Sequence, residues 1–339
     1  MNIMLKKIIA GLLSLCLVFS LAACSSKPAD TNSGESGKES TETTSSSTEN
    51  NGKDMKKIGL AMHNQTADWA VQFADTFKKE AKERGYEVVM TDANSVAADQ
   101  VSQMEDLVAQ NIGGLVVLPA DYTALGQALK AASEAGVKIV NADSQVDEKD
   151  QKLVDVFVTA DSFQGGYVVG EYLSEKLPKD AQVGEINYSQ LSVIADRFLG
   201  MEKAFKDKGR EDVTFVSKDA TDLNAIAAYA EDMLIANPNM NAMVCLNDSS
   251  ALTAFGAAKQ LKKTDLMVFG FDGSPASKQS ISAGEMSGTV VYSPVKLAEA
   301  SLEAVIGLLE GKDVQKDTKV DMELINSENL KDYDIDSWN

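Results

Sequence analysis

The stretch Ala242–Pro275, AMVCLNDSSALTAFGAAKQLKKTDLMVFGFDGSP, reads as strand, loop, helix, strand, loop. Ala242–Leu246 and Leu266–Phe271 are short apolar runs of the kind a buried parallel strand needs, and Ser250–Leu261 is long enough to be the crossover helix between them. Each run ends abruptly in polar residues, Asn247-Asp248 after the first and Asp272-Gly273 after the second. An amide and carboxylates therefore stand past the carboxyl ends of neighbouring strands, the edge at which open α/β sheets bind ligands.

The same alternation extends in both directions. Upstream, Lys57–Met62, Tyr86–Thr91, Gly114–Leu118 and Val137–Asn141 have strand character. Between them lie helical segments Trp69–Arg84, Val101–Gln110 and Tyr122–Ala135, the first stopped by Gly85 and the last by Gly136. The pattern then restarts: strand Val154–Thr159, helix Gln164–Lys176, strand Gln182–Asn187, helix Val193–Lys208, strand Thr214–Val216 and helix Asn224–Ala236. After Asp272 follow helix Ser274–Ala283, strand Gly288–Val291 and helix Val295–Leu309. Repeated βαβ units of this length imply two lobes of parallel sheet wrapped by helices on both faces. A ligand between two such lobes would be enclosed from both sides.

Ahead of this body, Lys6-Lys7 precedes sixteen uncharged residues, Ile8–Ala23, ending in Leu21-Ala22-Ala23-Cys24. That is a secretory signal, and its end is similar to the lipobox of bacterial lipoproteins, which places the lipid on Cys24 and the chain on the extracellular face of the cell membrane. An uncleaved transmembrane anchor is the alternative, but it needs about twenty apolar residues. Residues 1–23 are thus assigned to the signal and 24–54 to the lipidated cysteine and a Ser/Thr-rich tether, since Ser25–Asp54 contains no Val, Ile, Leu, Met, aromatic or Cys and cannot build a core.

Composition narrows the partners. The 339 residues include 51 acidic against 32 basic, a net charge of −19 that disfavours nucleic acid and anionic lipid surfaces. Three cysteines, Cys16, Cys24 and Cys245, make no disulfide framework, and Cys245 falls in an apolar strand as a small hydrophobe. The residues at strand ends are His63, Asn64, Asp143, Ser144, Asn187, Tyr188, Asn247, Asp248, Asp272 and Tyr292. Carboxylates and amides suit vicinal hydroxyls, and Trp69 could stack on a sugar ring, although the same polar types also make turns and helix caps. His63, the sole histidine, either lines the pocket or sits in an inert loop. No metal-ligand cluster accompanies it, Ser249-Ser250 lacks a nucleophile elbow, and Gly113-Gly114 and Gly165-Gly166 lack phosphate-loop spacing, so no cofactor, metal or catalytic role is expected.

From Lys56 to about Leu324 the chain resembles the ribose- and galactose-type periplasmic binding proteins, sugar-binding subunits of bacterial ABC importers. The resemblance is carried by Ile58-Gly59-Leu60, Asn141-Ala142-Asp143-Ser144, Ala160-Asp161, Gly165-Gly166, Arg197 before Gly200, Asn247-Asp248 and Gly270-Phe271-Asp272-Gly273. It implies the type I periplasmic-binding-protein fold, an α/β architecture of two doubly wound parallel-sheet lobes joined by a three-strand hinge near Ala160-Asp161, Val291–Ser293 and Val320–Leu324. Residues 55–160 and 293–321 would form lobe 1; 161–292 and 322–339 would form lobe 2. It also implies that Asp143, Asn247 and Asp272 bind sugar hydroxyls and that Trp69 stacks on the ring; His63, Ser144, Asn187, Arg197 and Tyr292 complete the expected ligand-binding set.

Departures accompany the matches. Ala67 and Leu118 stand where ribose binders have asparagines, Ser144 and Ala195 where they have arginines, Thr221 where they have an aromatic and Tyr292 where they have glutamine. Ribose itself is disfavoured, and lost positive charge disfavours an anionic ligand. The expectation is a monomeric, non-enzymatic binding protein for a small neutral sugar or polyol that docks on ABC permease subunits. A sensory receptor presenting a sugar or autoinducer to a membrane signalling partner is the alternative. A lactose-repressor-type regulator would need an N-terminal helix-turn-helix, and a hydrolase a nucleophile.

Overall fold

A computed structural model describes residues 54–338. The assignments to the signal, Cys16, Cys24 and nearly all of the tether lie outside the described residues. Strand β1 (Asp54–Met62) starts at the last residue expected in the tether, because Asp54 pairs with Ile112. There follow α1 (Asp68–Glu83), β2 (Glu87–Asp92), α2 (Ala97–Ala109), β3 (Ile112–Val117), α3 (Gly126–Glu134), β4 (Lys138–Ala142) and β5 (Val156–Ala160). The second run is α4 (Ser162–Lys176), β6 (Gln182–Asn187), α5 (Ser192–Asp207), β7 (Thr214–Asp219), α6 (Ile226–Ala236), β8 (Ala242–Cys245), α7 (Asp248–Gln260), β9 (Met267–Asp272), α8 (Pro275–Ser282) and β10 (Gly288–Val291). It closes with α9 (Pro294–Leu309), β11 (Asp317–Val320) and β12 (Leu324–Asn326).

Two six-stranded sheets result, ordered β11-β5-β4-β3-β1-β2 and β12-β10-β9-β8-β6-β7. All pairings are parallel except β10 with β12, an antiparallel departure from the expected all-parallel sheets. Strand β12 arrives directly from β11 of the other sheet, with no crossover helix to bring it round in the parallel sense. The chain passes between the sheets after β5, after β10 and after β11, at Asp161, at Tyr292-Ser293 and across 321–323. In both sheets the order reverses beside the first strand of the lobe, β1 or β6, which creates a crevice at the carboxyl edge.

Central strands are buried on both faces, as parallel sheets require. Along β3, Leu115 and Val117 enter a core with Met104 and Leu107 of α2 and Leu129 of α3, while Val116 faces the cluster holding Phe73 and Phe77 of α1. Cys245 is fully buried in β8 and burial pushes its thiol up, so it is inert packing.

Among the helix starts that differ from the periodicity reading, three have a side-chain cause. Helix α2 begins at Ala97 because Gln100, fully buried, donates to the carbonyls of Ala61 and Leu118 and accepts from Ala120 N, a tertiary anchor for the first turn. Helix α3 begins only at Gly126, since Asp121 Oδ1 takes the Thr123 amide and hydroxyl and holds a turn there. Residues Leu223–Ala225 form a separate 3-10 turn before α6, with Asp222 accepting from Asn224 N.

Candidate functional site

The crevice holds a cavity of about 90 Å³ lined by residues from both sheets. His63 and Asn64 follow β1, Ala120 follows β3 and Asp143 follows β4; Tyr188 follows β6, Asn247 follows β8, Asp272 ends β9 and Tyr292 follows β10. Of the expected site residues, His63, Trp69, Asp143, Arg197, Asn247, Asp272 and Tyr292 line it.

Two do not. Ser144 is fully buried, and its hydroxyl accepts from Val193 N at 3.4 Å, a contact between a lobe 1 loop and the start of α5 in lobe 2. Asn187 turns its carboxamide oxygen to Tyr188 N at 2.7 Å and serves the turn. In both, a backbone amide takes the polar oxygen: a helix-start amide of the other lobe for Ser144 and the adjoining residue's amide for Asn187.

Trp69 lines the cavity but is not an open platform. Its indole is only 7 % exposed, stacks with Tyr292 at 5.0 Å between centroids and 18° between planes, and stacks with Phe73, one helical turn on, at 5.8 Å. Its N–H donates to the Tyr292 carbonyl at 2.7 Å. The Tyr292 phenol donates to Asp143 Oδ1 at 2.6 Å, and burial with the neighbouring carboxylate raises the phenol well above its ordinary range.

On the lobe 2 side, Asn247 caps α7 by accepting from Ser250 N at 2.9 Å, which leaves its NH₂ for the cavity it lines. Arg197, on α5, donates to the Leu246 carbonyl and lies 4.6 Å over the Phe271 ring and 5.5 Å from the Tyr292 ring. Burial raises the Asp272 carboxyl well above the carboxylate range, Asp248 and Asp143 push the same way, and Arg197 opposes them. Asp248 itself does not line this cavity. Its oxygens accept from Ser274 N at 2.8 Å, Ser277 Oγ at 2.6 Å and Thr289 Oγ1 at 2.5 Å, a network that ties α7, α8 and β10 together.

His63 is buried, its Nδ1 has no partner among the described residues, and desolvation lowers its pKa against the opposing pull of Asp143 and Asp92. The imidazole is therefore neutral at pH 7, able to donate and accept. Asn64 accepts from Thr66 and Ala67 amides and donates to Ser95, shaping the β1 loop. Opposite the polar groups, the wall is apolar: Leu191, Val193 and Ile194 at the start of α5, with Leu223 and Leu246. These residues were missed in the sequence because Ile194 falls on the same helical stripe as Phe198, Met201 and Phe205. Among the departures, Ala67 lines the cavity, whereas Leu118, Ala195 and Thr221 do not. Among the described residues no group of three or more His, Cys, Asp or Glu could hold a metal, and no helix is long and apolar enough to cross a membrane.

Two α/β lobes with convergent acceptors at facing strand ends define a type I periplasmic binding protein architecture. The chain belongs to the periplasmic binding protein family: the model of the periplasmic binding protein domain matches residues 58–313. It is 30 % identical to the ribose import binding protein of Bacillus subtilis over 94 % of this chain and 99 % of that one. The Escherichia coli ribose import binding protein is 26 % identical over 79 % of this chain and 90 % of its own length. Among solved structures, a Mycobacterium smegmatis ABC transporter solute-binding protein with bound glycerol superposes at a TM-score of 0.77, with 27 % identity over 81 % of this chain and 96 % of that one. The Caulobacter myo-inositol binding protein shares the fold at a TM-score of 0.77 and 22 % identity, covering 82 % and 95 % of the two chains.

Proposed function

We propose that this protein is the extracellular, lipid-anchored solute-binding component of an ABC importer, and that it closes two lobes on a small neutral sugar or polyol. The observation that carries the reading is the meeting of Asp143 from one sheet and Asp272 from the other at a single cavity, beside the neutral donors of Asn247 and His63. Two acidic acceptors against one buried guanidinium suit hydroxyl donors and disfavour a phosphate or carboxylate ligand. The relatives named for ribose import, and the neighbour holding glycerol, support the same class. Attachment through Cys24, after removal of residues 1–23, would keep the protein beside its permease.

The test is a thermal-shift screen of pentoses, hexoses, polyols and amines, since a ligand at a hundred times its dissociation constant adds about 2.7 kcal/mol to stability. Calorimetry on Asp272→Asn with the ligand so found should show up to a hundredfold loss where the carboxyl is ionised, since a hydrogen bond to a charged acceptor is worth about 1.5–3 kcal/mol and asparagine retains part of it, and a smaller loss at a pH where burial keeps it protonated. A cationic ligand would instead lose nearly a thousandfold, about 4 kcal/mol at an effective dielectric of about 20, and its affinity would fall with salt. That result would replace the sugar reading.

A further inference from the structure

Tyr292 stands in the groups a sugar ring would use. Its ring covers Trp69, its phenol takes one oxygen of Asp143, its carbonyl takes the indole N–H, and the Arg197 guanidinium lies 5.5 Å from its ring. The side chain is 2 % exposed. Held by a hydrogen bond to the Asp143 carboxyl and an aromatic stack together, it forms a fixed wall, because turning it out would break both.

The space that remains is small. At about 90 Å³ it is roughly three-fifths of an apolar cavity of about 150 Å³ that takes one benzene, and a hexopyranose is about twice benzene in heavy atoms. We propose that Tyr292 acts as a built-in ring at the stacking position and biases the site toward polyols of about three to four carbons, disfavouring pentoses and, more strongly, hexopyranoses. This rests on the sugar-or-polyol reading. The polar groups left over suit such a ligand: the second oxygen of Asp143, the Asp272 carboxyl, the Asn247 amide and the His63 imidazole lie at one cavity, with Ile194 and Leu246 for the C–H edge.

The test is calorimetry of the full-length chain with glycerol, erythritol, ribose and glucose, run beside Tyr292→Gln and Tyr292→Phe, each variant first checked for a cooperative melt. The wild type should bind glycerol or erythritol tenfold or more tighter than glucose. Tyr292→Gln should shift that ratio toward glucose by tenfold or more, whereas Tyr292→Phe, which keeps the ring, should leave it in place. Glucose bound as tightly as the smaller ligands by the wild type would overturn the inference without any variant, and so would an unchanged ratio in a folded Tyr292→Gln. Either result leaves the sugar reading standing. If no carbohydrate binds wild type or variants, the sugar reading fails and takes this inference with it.

Discussion

Asp143 and Asp272 both sit on left-handed backbone, with φ of 67° and 124°. Non-glycine residues hold such angles only where the surroundings over-determine them. Here Asp143 N donates to Val158 O at 3.1 Å, and the Asp272 carbonyl accepts Tyr292 N at 3.2 Å, so strand ends pin both residues. Away from the cavity, Glu185 is another buried acid, in the middle of β6, with Oε1 unpartnered among the described residues. Desolvation and the nearby Glu202 push its pKa from the usual 4.5 to about 7, with the Ser217 hydroxyl opposing. The folded state thus keeps its proton longer than the unfolded chain. Stability contributed by this group is intact below pH 4.5 and falls as pH rises through about 7. Glu185→Gln is expected to add up to about 3 kcal/mol at pH 8 and little at pH 4, at 1.36 kcal/mol per unit. Urea unfolding at the two pH values checks it, and an equal gain at both would refute the assignment.

At the scale of elements, the site depends on how closely α4 and α5 approach. A Cβ on Gly166 would lie 1.7 Å from the Arg197 carbonyl, and one on Gly200 would lie 1.9 Å from the Phe163 carbonyl. Both obstacles are backbone, so relief requires the helices to part. Gly166→Ala should cost about 3 kcal/mol or more, and it should weaken ligand binding because α5 carries Arg197, Val193 and Ile194 to the cavity. Gly256→Ala, in α7 with nothing within 4 Å of the added carbon, is the matched control, expected to be neutral or stabilising by up to about 1 kcal/mol. Denaturant midpoints and titrations of both variants decide it; equal destabilisation would remove the close-approach argument. The Gly165-Gly166 pair is plain in the sequence, yet its purpose is not, since that depends on the helix lying against it.

At the scale of the whole molecule, the lobes meet through Ser144 and Val193 and through a cavity that both sheets line. A ligand touching Asp143 and Asp272 together binds this arrangement better than any state with the lobes apart, and so shifts the population toward it. Small-angle scattering should show a smaller radius of gyration when a confirmed tight ligand is added. An unchanged profile at saturation would rule out closure as the response to binding.

The alternation of apolar runs with helix-length segments determined the two lobes, because strands buried on both faces and helices with one apolar stripe are periodic patterns written residue by residue. The edge that carries the site was equally legible: His63, Asp143, Asn247 and Asp272 end their strands, and they line the cavity. Only the tertiary structure could show that Ser144 spends its hydroxyl on the Val193 amide of the other lobe, that Leu191 and Ile194 form a wall, and that Tyr292 covers Trp69. The reason is physical. Local pattern decides which face of an element is apolar, whereas the partner of a polar or aromatic group at a strand end comes from residues far away along the chain. Trp69 and Tyr292 meet across a separation of 223 residues, and no local periodicity records such a pairing.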